Sequence, residues 1–188
     1  APYPPSSAVP RLKESKDVKV MAGPPLINLF LGCCTLNEPT NNHDVRLAIN
    51  YAINRDNVIK AVLYGLGELP ASFVGPTEFG FDPSGRDISK QDVAKAKDHV
   101  AKSGLPTPIK LALTYENNRF WPQMAELVKS DLEAVGFAVT LDAQDAGSYW
   151  GKVNGGKSQL NMNQRSLWVP DPDNKVTLLE SHNASAQG

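Results

Sequence analysis

The chain of 188 residues has two cysteines, three histidines, a formal net charge of only -1 and no apolar run approaching bilayer-spanning length. Each shortage excludes something. Near-neutrality removes the pull toward phosphate backbones and anionic lipid, so neither nucleic acid nor a membrane surface is an expected partner. Without about 20 consecutive apolar residues, no transmembrane helix is expected. The opening "APYPPSSAVP" lacks the charged start and apolar centre of a signal peptide, so an exported form would already have lost its signal. His43, His99 and His182 lie in separate stretches without metal-ligand spacing. No serine–histidine–acid order, nucleophile elbow, phosphate loop or zinc motif is present, so the expectation is no enzyme, no metal and no cofactor. Cys33 and Cys34 are adjacent, and a bond between neighbours would strain the backbone badly. They read as two small buried apolar residues, with a redox pair or metal site as the lesser alternatives.

What the chain does have is 41% hydrophobic residues, enough for one substantial core, so a single domain over residues 1–188 is expected. Residues 1–10, with four prolines and two serines, and the small polar residues 182–188 read as linker-like boundaries of a piece of a longer chain. The runs "VKVMAG" (18–23) and "LINLFLGC" (26–33), broken by Gly23, Pro24 and Pro25, predict two strands joined by a turn. Val45, Ile49, Ala52 and Ile53, then Val58, Ile59, Val62 and Leu63, recur at helical spacing until Gly65 and predict two successive helices. From Gly65 to Arg86, Gly, Pro and Phe without a sustained period predict a long connection packed by its own aromatics. Ser89 with Asp92 predicts the cap of a helix whose face is Val93, Ala96 and Val100 and which Gly104 closes.

The clearest unit follows. "IKLALTY" alternates, with Ile109, Leu111, Leu113 and Tyr115 on one face. Asn117 or Asn118 is placed to cap a helix carrying Phe120, Met124, Leu127, Val128, Leu132 and Val135 as far as Gly136, with Pro122 in its first turn. "FAVTL" alternates again. Strand, helix and strand with short links predict a parallel right-handed crossover, hence an α/β fold with helices on a mixed, largely parallel sheet. A short helix at "AGSYWGKV" and a last strand running into "RSLWVPDPDN" complete the order.

The stretches "VPRLKESKDVKVMAGPPLINLFLGCCT", "HDVRLAINYAINRDNVIKAVLYGLGELPASFVGP", "ISKQDVAKAKDHVAKSGLP" and "PDPDN", taken in that order from Val9 to about Ser181, resemble the peptide/nickel family of ABC-importer solute-binding proteins. The helix pair "VRLAINYAINRDNVIKAVLYG" is the most specific part. The resemblance implies a longer, two-lobed protein, with this segment as most of the second lobe of a type II periplasmic-binding-protein fold. It also implies a periplasmic or other extracytoplasmic location, with or without a lipid anchor, an ABC permease as membrane partner and a monomeric state. Within the helix pair, Arg46 and Arg55 with nearby Asp44 and Asp56 read as a surface or hinge-side ion-pair arrangement worth little.

In peptide-binding members of that family an aspartate a few residues before the "DPD"-like turn captures the ligand's free amino group. Counting back from Asp171, that position here is Trp168. The indole offers a stacking face for a sugar, an aromatic group or a cation and one N–H donor, or else packs under the hinge. Arg165 stands where the family often has tryptophan, and its guanidinium suits a carboxylate or phosphate. Asn161, Asn163 and Gln164 make this last strand unusually polar, so one of its faces is expected to meet water or ligand, with Asn163 and Arg165 sharing a face. Tyr115, Asn117 and Asn118 follow the end of a parallel strand, where open α/β sheets place ligands; capping alone also explains the asparagines. Asp171 and Asp173 around Pro172 read as turn chemistry rather than a metal pair.

The expected function is therefore binding of a small organic solute (a peptide, an opine-like conjugate or an oligosaccharide) for an ABC importer. The alternatives are a solute-sensing module for a receptor and an α/β enzyme domain, the latter without evident catalytic groups.

Overall fold

The computed structural model describes residues 6–21, 23, 27–69, 72, 74–75, 78–84 and 90–166. A short turn of 3-10 helix at Ser6–Ala8 leads into α1 (Val9–Glu14), so helix begins inside the stretch expected to be a linker, and Val9 is buried. Next come β1 (Ile27–Cys33), α2 (His43–Ala52), α3 (Arg55–Ala61) and α4 (Val93–Lys102). The crossover unit is β2 (Ile109–Glu116), α5 (Trp121–Glu133) and β3 (Phe137–Gln144), followed by α6 (Ala146–Asn154) and β4 (Leu160–Ser166).

Among the described residues the strands form one sheet in the order β1-β4-β2-β3. β2 runs parallel to β3 from Ile109↔Phe137 to Glu116↔Gln144, and parallel to β4 at Leu113↔Leu160 and Thr114↔Asn161. β1 is antiparallel to β4 from Ile27↔Ser166 to Cys33↔Leu160. The α/β reading with a mixed, largely parallel sheet therefore holds.

Among the described residues, 18–21 and 23 form no strand to pair with β1 in the expected hairpin. Residues 18–21 are irregular, with Val18 and Met21 exposed. β1 reaches instead across more than a hundred residues to β4, which places its Leu29, Leu31 and Cys33 against the core. A hairpin with a strand as exposed as 18–21 would have covered no such face.

One face of the sheet is apolar because side chains alternate along a strand. Ile109, Leu111, Leu113, Val139, Leu160 and Met162 belong to one core cluster with the buried stripes of α2, α4 and α5. α4 is docked on α2 by polar contacts. His99 Nδ1 lies 2.8 Å from Asp44 Oδ1, its ring stacks on Tyr51 at 5.8 Å, and Asn42 Nδ2 donates to Ser103 O at 3.0 Å. The left-handed backbone at Gly104 ends α4, and that at Gly136 turns α5 directly into β3.

Local details depart from expectation at four places. Asp92 itself caps α4, accepting from Lys95 N at 2.9 Å, while Ser89 lies outside the described residues. α5 has no side-chain cap. Asn118 contributes its carbonyl to Trp121 N, and Pro122 fills a first-turn position that needs no donor. Among the described residues Arg46 turns to backbone carbonyls rather than to Asp44. Arg46 donates to Thr40 O and Asn41 O, and Arg55 to Asn50 O and Oδ1, because a guanidinium fork matches clustered carbonyls as well as carboxylates. Finally, Phe79 is exposed rather than packed within the long connection.

Candidate functional site

The opposite face of the sheet is polar. Thr114, Asn161 and Asn163 point to it and are buried, with Asp142 beside them. The helix α6 covers this face with Tyr149 and Val153, spaced four residues apart on one stripe. Asp145 caps α6 by accepting from Gly147 N and Ser148 N. Beneath the helix, Asp142 accepts from Thr114 Oγ1 at 2.7 Å, Gln144 Nε2 at 2.5 Å and Lys152 Nζ at 2.6 Å. Burial pushes the Asp142 carboxyl up, and these three donors outweigh it, holding the group below the ordinary carboxylate range.

β2 ends at Glu116 while β4 runs on to Ser166, and the gap between them opens a small hollow at the C-terminal end of the parallel strands. Its volume is about 40 Å³. Glu116 and Asn163 line it from the strands, Trp121 from the start of α5, and Tyr149 and Trp150 from α6. Extending the β2–β4 register by two residues brings Glu116 alongside Asn163. Tyr149 closes the floor. Its hydroxyl donates to Met162 O at 2.5 Å, and burial, reinforced by the charge of Glu116, raises its pKa far above the phenol range. It therefore stays a proton donor at any physiological pH. Trp150 stands edge-on to Tyr149 at 5.1 Å and is 38% exposed.

The residues singled out from the sequence fall in different places. Asn163 is 4% exposed and lines the hollow; its Oδ1 accepts from Gln164 N at 2.7 Å. Arg165 is half-buried on the same face, opposite Asn28 of β1. Tyr115 is 7% exposed and belongs to the apolar core on the other face. Asn117 is exposed at the strand end, where its N–H donates to Gln144 O at 2.7 Å. Trp168, Asp171, Asp173 and His182 lie outside the described residues. The structure thus brings Asn163 and Arg165 to one face and separates Tyr115 from them.

Glu116, Tyr149 and Trp150 were not singled out in the sequence. The signal for Trp150 was present: Tyr149 and Val153 define the buried stripe of "AGSYWGKV", which leaves the neighbouring indole beside it and toward solvent. Glu116 gave none, since an acid at the end of an apolar strand is ordinary.

A larger cleft, of about 390 Å³, lies toward the other end of β4, lined by Glu38, Thr114, Lys152 and Gln159 among others. Its polar groups are largely committed to the fold. Lys152 is held by Asp142, and Gln159 satisfies Ala112 N at 2.6 Å and donates to Glu38 O at 2.7 Å. Cys33 and Cys34 are both free thiols, and burial pushes Cys33 up to about 11, with Arg46 pulling it partly back. A thiol so placed is a poor nucleophile at neutral pH. Among the described residues no group of three or more histidine, cysteine or acidic side chains is arranged to hold a metal, and no helix is long and apolar enough to cross a membrane.

The family model for bacterial extracellular solute-binding proteins, family 5 Middle, matches residues 1–187. The chain belongs to that family. This family 5 chain is 30% identical to the dipeptide-binding protein of Escherichia coli (strain K12) over 194 aligned residues, 100% of this chain and 36% of that protein. It is 28% identical to the glutathione-binding protein GsiB of Escherichia coli O6:K15:H31 (strain 536 / UPEC), over 84% of this chain and 30% of that one. Among solved structures, the ABC transporter-associated periplasmic binding protein DppA from Helicobacter pylori, in complex with the peptide STSA, is similar at a TM-score of 0.84 and 26% identity. That match covers 92% of this chain and 33% of the other. The family 5 chain therefore spans about a third of the length of these relatives.

Proposed function

We propose that this chain forms one wall of the solute cleft of an extracytoplasmic binding protein that carries a short peptide, or a related small organic solute, to an ABC permease. The match to a solute-binding family along residues 1–187 carries this reading. The relatives described above bind a dipeptide, glutathione and the peptide STSA. The site chemistry is consistent with carriage rather than turnover: Glu116, Asn163 and the aromatics around them offer recognition groups but no nucleophile paired with a base. Open α/β sheets bind ligands outside the carboxyl ends of their strands, which is where β2 and β3 end together here while β4 runs on beyond them. In this reading two lobes close about a hinge, exclude water and so strengthen a few polar contacts. By the same reading the guanidinium of Arg165 suits a carboxylate of the solute, and the indole of Trp168 supplies a stacking face. The protein acts as a monomer, exported with or without a lipid anchor.

The test is a thermal-shift panel on the intact protein with short peptides, matched opine-like conjugates and oligosaccharides. A ligand that binds only the folded state stabilises it by about 2.7 kcal/mol at a hundredfold excess over Kd. Peptides should raise the melting temperature by several degrees. Stabilisation by an oligosaccharide alone, no stabilisation by any of the three, or chemical conversion of a bound solute would each sink the peptide-carrier reading.

A further inference from the structure

α6 carries Trp150 to the hollow, yet it lies on the polar face of the sheet, where little apolar surface is available to fix its seat. We infer that Asp142 is a positioning residue of the solute site: by holding Lys152 it sets the rotation of α6, and with it the stance of the Trp150 ring at the mouth of the hollow. The inference takes the use of the hollow from the proposed function, but the seating of the helix stands on separate observations.

The first is how little else fixes the rotation of this helix. Its buried residues are Tyr149 and Val153, and neither belongs to the core cluster that joins α2, α4 and α5 to the other face of the sheet. Apolar burial is in any case non-directional and tolerates a turn about the helix axis. The two ends are pinned by other means. Asp145 alone separates β3 from α6 and caps the helix, and beyond its last turn Asn37 Nδ2 donates to Gly156 O at 2.7 Å and to Ser158 O at 2.8 Å. Pinned ends leave rotation as the remaining freedom.

The second is the placing of two directional ties. Tyr149 Oη donates to Met162 O of β4, and Lys152 Nζ donates to Asp142 Oδ2 of β3 at 2.6 Å. β4 and β3 flank β2 on opposite sides, so the helix is held at two points across the sheet. Trp150 follows Tyr149 by about 100° around the axis, so a turn of α6 swings the indole toward or away from the hollow. One tie alone would leave that turn open. Lys152 lines the larger cleft and not the hollow, so its effect on a solute in the hollow passes through α6.

The third is that Asp142 is fixed independently of Lys152. Thr114 Oγ1, on a residue with no exposure, donates to the same carboxylate oxygen at 2.7 Å, and Gln144 Nε2 donates to the other at 2.5 Å. Only 20% of the Asp142 side chain and 32% of the Lys152 side chain are exposed, so this is not the mobile surface pair that contributes little. A lysine that meets a carboxylate held in this way takes its position from the sheet.

The experiment uses the intact protein labelled with 5-fluorotryptophan, with the Trp150 resonance assigned by Trp150→Phe. Lys152→Met should move the Trp150 signal. Asp142→Asn, whose amide oxygen still accepts a weaker bond, should move it the same way by less, and the double variant no further than Lys152→Met, because both changes act on one contact. Lys152→Arg keeps a cation within reach of Asp142 and should leave the signal near its wild-type position. The methyl signals of Val45 and Val128, buried among α2 and α5 on the apolar face, should stay in place throughout. A Trp150 signal unmoved by Lys152→Met overturns the inference. So does a double-variant shift equal to the sum of the single shifts, or movement of the Val45 and Val128 methyls alongside Trp150, which reports general loosening of the fold. A second arm measures the Kd of dialanine and trialanine by calorimetry. A Kd raised about three- to tenfold in Lys152→Met, as expected for the loss of one hydrogen bond's worth of positioning, supports the role in the site. An unchanged Kd beside a moved Trp150 signal overturns that role. Failure of both peptides to bind the wild type counts against peptide carriage, while the Trp150 shifts still support the seating of α6.

Discussion

The two faces of this sheet are cut from the same strands and stabilised by different physics. On one face, Leu111, Leu113, Val139, Leu160 and Met162 meet helical stripes and gain free energy simply by leaving water. That gain is not directional, and any well-filled apolar packing supplies it. On the other face Thr114, Asp142, Asn161 and Asn163 are buried or nearly so, and each must find a partner at a fixed distance and angle. Asp142 accepts from three donors, and the amide oxygen of Asn163 accepts from Gln164 N. The difference teaches where to look for function. An apolar face says what holds the chain together, while a polar buried face says where directional contacts are concentrated.

The comparison breaks most visibly on the apolar side. Leu113→Ala removes a side chain with no exposure at the centre of β2, and the loss should be about 2–5 kcal/mol, read as a lower urea midpoint. A loss under about 1 kcal/mol would mean that the cluster collapses around the cavity and is less tightly packed than its burial implies.

The polar face should respond to shape rather than to volume. Gly32 of β1 sits opposite Asn161, and a Cβ there would lie 2.7 Å from Asn161 Oδ1 and 3.0 Å from its nitrogen. Because Asn161 is itself buried, it cannot swing away, so Gly32→Ala should cost about 1–3 kcal/mol. Combined with Asn161→Gly, the cost should be clearly less than the sum of the two single changes. Strict additivity would show that the two residues do not meet.

The smallest effect sharpens the electrostatic side. Asp142→Asn keeps the shape and removes a charge that three donors converge on, and should cost about 1–2 kcal/mol at neutral pH. A carboxyl held below its ordinary value of about 3.9 contributes stability that is complete above that value and is lost as pH falls through the lower, folded one. The wild type should therefore lose stability on acidification below about pH 4, and Asp142→Asn should lose less over the same interval. Parallel pH profiles for the two proteins would assign the acid sensitivity to other carboxylates.

Much of the architecture was legible beforehand. The periods of α2, α3, α4 and α5 and the alternation of β2 and β3 are written locally, because the residues that share a face are two, three or four positions apart. The short link through Gly136 likewise made the parallel crossover readable. The site was legible only in part. Polar residues at 161, 163 and 165 marked β4 as unusual, and Asn163 does line the hollow. Tyr115 was misleading, since alternation places it with Leu113 on the core side, and its ring packs there.

By itself, the sequence determined most of the helices and strands, though not α1 nor the irregular course of residues 18–21, along with which of their faces are apolar and the family to which the chain is similar. Tertiary structure decided the rest. It paired β1 with β4 instead of with residues 18–23, turned two arginines toward carbonyls, and set Glu116 beside Asn163 at the mouth of a hollow. The physical reason is the range of the interactions. Periodicity is fixed by the spacing of side chains along one element, whereas strand order, side-chain hydrogen-bond partners and cavities depend on which elements meet and how, which no periodic pattern records.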